Sequence, residues 1–215
     1  MEKKTTQHYL FPELDSPVLL QMKEYAKEHF IPIMDERSLH MLLTLLTVQQ
    51  PKRILELGSA IGYSAIRMAL ALPNAHITTI ERDDVRYEEA VQNIHDAELN
   101  ERIAIHHADA LEWDTTKLHK TFDALFIDAA KGQYERFFKK YEPHVQVGGI
   151  IYCDNIAMDG QVLHPLSDIP RRNRTMIRNL QQFIETMYNH PRYEVSYLNI
   201  GDGLLIARKV KEDEA

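Results

Sequence analysis

Arg53-Ile-Leu-Glu-Leu-Gly-Ser-Ala-Ile-Gly-Tyr-Ser64 is the stretch from which the fold can be read. Ile54, Leu55 and Leu57 make an apolar run of strand length, closed by Gly58, and the segment from Tyr63 to Leu72 reads as a helix. Strand, glycine turn and helix in that order form a nucleotide pocket at the carboxyl end of a parallel strand. The dinucleotide fingerprint needs glycines at its first, third and sixth places so that backbone can approach a pyrophosphate. Those places hold Gly58, Ala60 and Tyr63, and Glu56 sets a carboxylate just before the turn. A carboxylate there opposes a pyrophosphate and suits a cation. Glu81 ends the next strand, His76–Glu81, where an acid can hold a ribose diol. An adenosine that carries a positive charge and no phosphate is S-adenosylmethionine, so the reading is a methyltransferase with Glu56, Gly58, Gly62, Ser64 and Glu81 at the cofactor.

Outward from this stretch, strands alternate with helices. A helix starts at Ser16-Pro17 and runs to about Phe30; a second spans Glu36 to Val48 with a leucine stripe. Strands follow at 76–81, 103–107, 122–128 and 148–154, with helices at 83–99 and 133–141 between them. The spacing predicts a doubly wound, mostly parallel sheet of Rossmann type. After an irregular stretch from Asn155 to Ile169, a helix at 174–189 leads to two strands, 193–200 and 204–209. Gly201-Asp-Gly203 turns them into an antiparallel hairpin. The expectation is a single domain over 1–215. Its N-terminal helices occupy 1–50, a cofactor-binding core 51–154, and the substrate-side loop, helix and hairpin 155–215.

At 215 residues the chain has room for a substantial core. Its one cysteine, Cys153, excludes a disulfide framework and a cysteine zinc site and predicts a reducing, cytoplasmic setting. The opening residues Met1 to His8 lack the apolar core of a signal peptide, and no run reaches the roughly 18 apolar residues of a membrane span. A net charge of −7 argues against a protein that coats nucleic acid, though not against one with a local basic patch.

Glu81, Asp128 and Asp154 end three of the parallel strands, and Asn155 follows the last. Any one of these acids reads equally as a helix cap. Asp128, Asp154 and Asn155 together make an oxygen-only set that suits magnesium, which keeps positions open for water and substrate. Lys131, three residues past Asp128, reads either as a solvated surface lysine or as a general base. His106 and His107 point to opposite faces of a strand and cannot chelate together, one being expected in the core and one on the surface. Arg171, Arg172, Arg174 and Arg178 form the dense basic cluster. Such a run commonly marks a solvated helix start, but cations at a helix N-terminus oppose the macrodipole, which tilts the reading towards phosphate binding.

These motifs resemble the metal-dependent O-methyltransferases, the group of catechol and caffeoyl-CoA O-methyltransferases, over about Ile31 to Lys209. Glu56–Ser64 is similar to that family's first motif, Ile80-Glu81-Arg82 to its ribose-binding acid, and Phe126–Lys131 to its segment of metal-binding aspartate and catalytic lysine. Asp154-Asn155 resembles the second metal pair and Gly201–Leu204 the closing hairpin. The resemblance implies cofactor contacts at Met34, Asp109, Ala110 and Asp128, and a homodimer. Within the group, Pro32–Met34, Ser59–Ala69 and Asp128–Tyr134 resemble a bacterial branch that methylates 5-hydroxyuridine at the tRNA wobble position. The resemblance thus implies the tRNA anticodon loop as partner, with a small catechol or other vicinal phenol as the alternative substrate. Two departures bear on that choice. The segment Val195–Leu198 lacks the substrate-facing acid of catechol-type enzymes, and caffeoyl-CoA-type enzymes are also often basic near 171–178.

Overall fold

A computed structural model describes residues 16–118 and 121–212; the expectation for Met1 to His8 lies outside the described residues. The elements run α1 (Pro17–Glu28), α2 (Glu36–Gln49), β1 (Arg53–Leu57), α3 (Tyr63–Ala71), β2 (His76–Glu81), α4 (Asp84–Asp96) and β3 (Ile103–His107). They continue with β4 (Phe122–Ile127), α5 (Tyr134–Tyr141), β5 (Val145–Cys153), α6 (Arg174–Tyr188), β6 (Tyr193–Leu198) and β7 (Leu204–Lys209). One seven-stranded sheet has the order β3-β2-β1-β4-β5-β7-β6. β1 to β5 are parallel, and β7 runs antiparallel to both β5 and β6. This is the expected Rossmann-like methyltransferase sheet with its terminal hairpin.

Burial on both faces explains the near-continuous apolar strands. Successive side chains point to opposite faces. Ile54, Phe126 and Tyr152 therefore join the leucines of α2 and the apolar side of α3. Their neighbours Leu55, Leu125, Ile127 and Ile151 join Phe137, Phe138, Leu180 and Phe183 of α5 and α6. Each such side chain, fully buried, contributes about 1.5–3 kcal/mol. α2 is capped by Asp35, whose carboxylate accepts from the backbone N–H groups of Arg37 and Ser38.

The strand order reverses at β1, which has β2 on one side and β4 on the other. Loops leaving neighbouring strands diverge at such a switch point and leave a crevice beyond the carboxyl ends. Ladder bonds continue one residue into that crevice: Asp128 N–H donates to Leu57 at 3.0 Å, and Gly58 N–H to Ile80 at 3.0 Å. Gly58 has φ +93°, and a β-carbon there would lie 2.6 Å from the Asp128 carbonyl oxygen. Only glycine lets the turn after β1 pass so close to the end of β4.

Among the described residues no helix is long and apolar enough to cross a membrane. His106 is half-buried against Trp113, whereas His107 is exposed, paired with Asp84 and stacked on Tyr87. The expected core histidine is thus a partly covered one, because β3 is an edge strand of the sheet.

Candidate active site

A cavity of about 650 Å³ opens at the carboxyl ends of β1, β2 and β4. Met34, Gly58, Glu81, Asp109, Ala110, Asp128, Lys131 and Asn155 all line it. Of the expected cofactor residues, Glu56, Gly62 and Ser64 do not line it. Glu56 is fully buried on the α3 face of β1, where the Ser64 and Thr79 hydroxyls each donate to it at 2.5 Å. Desolvation is the main cause that lifts its carboxyl to about 7, against the two hydroxyl bonds. Gly62 has φ +84°, and a β-carbon there would lie 3.5 Å from Ala90 Cβ of α4. These three residues brace the turn from behind.

Glu81 is held at the cavity wall by backbone. One of its oxygens accepts from Ala60 N–H at 2.8 Å, the other from Arg82 and Asp83 N–H at 2.9 Å. A carboxylate has about four acceptor positions, so Glu81, with three taken, keeps capacity for one hydroxyl of a ligand diol. Asp109 accepts from Leu111 N–H at 2.8 Å, and the Tyr141 hydroxyl donates to the Ala110 carbonyl at 2.6 Å, which fixes the segment after β3. The sequence reading passed over Asp35, Arg82, Arg86, Gln133 and Phe137, which also line the cavity. Their signal was spacing: Arg82 with Arg86, and Gln133 with Phe137, stand four residues apart at the start of helices that leave the crevice.

The oxygen-bearing side chains come together as expected. Asn155 Nδ2 donates to Asp154 Oδ2 at 2.8 Å and to Asp128 Oδ1 at 3.4 Å, and the Tyr134 hydroxyl donates to the Asp154 carbonyl at 2.8 Å. Asn155 has φ +55°, a left-handed conformation that asparagine tolerates better than most residues. Asp154 is 2% exposed, and among the described residues its Oδ1 has no hydrogen-bond partner. Burial and the charge of Asp154 push the Asp128 carboxyl well above the ordinary range, and burial with the charges of Asp202 and Asp35 raises Asp154 to about 6; Lys131 pulls both in the opposite direction. A buried carboxylate oxygen without a donor is a costly arrangement that a cation would relieve.

Among the described residues no group of three or more histidine, cysteine, aspartate or glutamate side chains is placed to hold a metal. The set here is two acids and an amide, and a half-turn of the Asn155 amide would offer its oxygen in place of its nitrogen. Two carboxylates with few other protein ligands fit magnesium.

The basic cluster divides. Arg174 donates from Nε to the Ile169 carbonyl at 2.8 Å and from Nη2 to the Ser167 carbonyl at 2.9 Å, so it fastens the loop ahead of α6. Arg171, Arg172 and Arg178 are exposed.

A family model described as O-methyltransferase matches residues 6–210. The chain is 31% identical over 186 residues to the caffeoyl-CoA O-methyltransferase of Populus kitakamiensis, covering 84% of this chain and 78% of that one. A Staphylococcus aureus crystal structure, provisionally named as a caffeoyl-CoA O-methyltransferase, superposes with a TM-score of 0.84. It is 33% identical, with coverage of 91% of this chain and 93% of that one. The O-methyltransferase of Bacillus cereus, solved in complex with SAH, has a TM-score of 0.82 at 23% identity over 94% of each chain, a likeness of fold alone. The chain belongs to the O-methyltransferase family, whose reaction places a methyl group on an oxygen.

Proposed function

We propose that this protein transfers the methyl group of S-adenosylmethionine to one of two vicinal oxygens on an acceptor ring, with magnesium held by Asp128, Asp154 and Asn155. The observation that carries the proposal is that Asp128, Asn155 and Lys131 share the cavity wall with Glu81, while Asp154 lies behind with a buried oxygen unpartnered among the described residues. The turn after β1 is flanked by acids and lacks a phosphate cradle, which favours a cationic adenosine. Ile80, Ala108, Ala110 and Phe137 give the wall an apolar surface for a base, and Glu81 suits a ribose hydroxyl. Lys131 is the base that takes the proton of the acceptor hydroxyl. The acceptor oxygen then bonds the methyl carbon as the carbon–sulfur bond breaks, and the electron pair stays on sulfur. Bound magnesium would supply the charge that acidifies the acceptor hydroxyl. The walls of the cavity contribute by holding the two reactants in line.

Similarity to a caffeoyl-CoA O-methyltransferase favours a small vicinal phenol as acceptor. A second reading, 5-hydroxyuridine at the wobble position of tRNA, is favoured by the exposed Arg171, Arg172 and Arg178 on the chain that follows Asn155. Its 5-hydroxyl and 4-carbonyl are vicinal oxygens, as in a catechol. The test is methyl transfer from labelled donor to a catechol and to tRNA that carries 5-hydroxyuridine, with EDTA and after magnesium is restored. EDTA should abolish transfer reversibly and Asp154→Ala should be inactive in both. Full transfer in EDTA would overturn the metal reading, and the relative rates decide the acceptor.

A further inference from the structure

Behind the cavity, one charged cluster ties together the two segments that form its wall on the α2 and α3 side. Pro32, Ile33, Met34 and Asp35 line the cavity from one side; Gly58 and Ala60 line it from the turn after β1. Glu36, the next residue after the first segment and the first of α2, reaches across to α3. One Glu36 oxygen accepts from the Tyr63 hydroxyl at 2.6 Å and pairs with Lys23 at 2.9 Å; the other accepts from Arg67 Nη1 at 3.2 Å. Arg67 Nη1 also donates to the Tyr63 hydroxyl at 2.7 Å, which closes a triangle. Tyr63 is 1% and Arg67 3% exposed, so the triangle is desolvated on its α3 side. Neither Glu36, Tyr63 nor Arg67 lines the cavity.

A fold that needed only packing here would have no use for a buried guanidinium, which is expensive to desolvate and whose Nε has no hydrogen-bond partner among the described residues. An apolar side chain would fill the same space at lower cost. What the charged triangle adds is direction. Tyr63 follows Gly62 at the end of the turn, and Glu36 follows Asp35 at the end of the 32–35 segment. A rigid, charge-assisted link between these two anchor points fixes the separation of the two walls. Glu36 is held ionised by the Tyr63 hydroxyl, Lys23 and Arg67, which together outweigh its partial burial.

We propose that Glu36, Tyr63 and Arg67 are positioning residues for the methyl donor: they touch no substrate and set the width of the cavity between the 32–35 segment and the glycine turn. The inference rests on the reading of that cavity as the S-adenosylmethionine site. If it holds, loosening the triangle weakens donor binding and leaves the chemistry at Lys131 and Asp128 in place.

Tyr63→Phe removes the hydroxyl and keeps the ring in its packing; Glu36→Gln keeps an acceptor for that hydroxyl and removes the ion pair. Calorimetry with S-adenosylmethionine on the native protein comes first, and failure of the native protein to bind sinks the cavity reading itself. With native binding established, Tyr63→Phe should raise the donor Kd and KM about tenfold, the size of one charge-assisted hydrogen bond. The kcat and the acceptor KM should stay within about twofold. Glu36→Gln should fall between Tyr63→Phe and the native protein. A variant that melts earlier yet binds the donor with native affinity would show a merely structural cluster and overturn the proposal. So would a loss of kcat with no change in donor KM.

Discussion

Glu56 shows how one side chain couples the strand interior to the pH response of the whole protein. Its carboxyl sits at about 7 in the fold, against 4.5 as its ordinary value. A raised acid pKa means that the native state holds a proton that the unfolded chain releases. Below about pH 4.5 both states are protonated and the site imposes no penalty. As pH climbs from 4.5 to 7 the unfolded chain ionises first, and stability falls with it. Above 7 the loss levels off at a value on the order of 3 kcal/mol. Glu56→Gln keeps the size of the side chain, and its amide can still meet both the Ser64 and Thr79 hydroxyls once one of them turns to accept. Urea unfolding at pH 5 and pH 8 should therefore show a smaller drop for Glu56→Gln than for the native protein. Equal drops would mean that Glu56 is ionised inside the strand. The same residue marks a limit of sequence reading. Its place before the glycine turn was legible, but its distance from the cavity depends on which face of β1 it occupies, and burial on both faces hides that from an apolar run.

At the scale of elements, the closing hairpin acts on the site through backbone. Gly203 carbonyl accepts from Ile156 N–H at 3.0 Å and Asp202 carbonyl from Ala157 N–H at 2.9 Å, so the β6–β7 turn holds the chain just after Asn155. Asp159 N–H donates to the Asp202 carboxylate as well. Gly203 has φ +86°, and a β-carbon there would lie 2.9 Å from both Ala157 Cβ and Tyr197 Cε2. Gly203→Ala meets a left-handed conformation that costs an L-residue roughly 1–2 kcal/mol, besides those two contacts. The melting temperature should fall by about 2–8 °C. Methyl transfer should suffer more than donor binding, since Asn155 moves and the Glu81 end does not. Intact transfer in a Gly203→Ala protein of lowered stability would separate the hairpin from the site. Most element positions were legible because strand ends carry glycines and acids, and β2, β3 and β7 begin and end where the sequence places them. β5 was not: it starts at Val145, three residues before the expected Gly148. Gly148 has φ +84° and lies where the β4–β5 register shifts between Phe122 and Ala124. The glycine pair reads as a strand boundary in sequence, whereas in the sheet it forms an irregularity within the strand. The convergence of Asp128, Asp154 and Asn155 was legible from strand ends alone. Asp35, Arg82 and Arg86 were missed because each has a local reading, as a helix cap, a residue of the chain entering α4 or a first-turn surface residue, that masks the four-residue spacing of the two arginines.

At the scale of the whole molecule, charge decides which acceptor the protein can recruit. The chain carries a net −7, so any RNA must be met by a local concentration of cations. Arg174 is committed to the Ser167 and Ile169 carbonyls and would be a poor test, because its loss would free the loop. Arg171 and Arg172 are exposed just ahead of α6 and Arg178 is exposed one turn into it, and the first turn of α6 has no acidic residue. Cations there oppose the helix dipole, so their placement is mildly unfavourable for folding and is compensated when an anion arrives. A single-stranded loop base is accessible to a cavity of this kind, and drawing one out costs only a few kcal/mol. If each of the three holds one phosphate, replacing all three by alanine should flatten the plot of log affinity for tRNA against log salt by roughly 2 to 3. Binding should weaken most at low salt, where counterion release contributes most. Methylation of a small catechol by the same variant should be unchanged, because the cavity wall and the Asp128–Asp154–Asn155 set contain none of these residues. An unaltered slope would leave the arginines as a solvated helix start and direct the search towards small vicinal phenols.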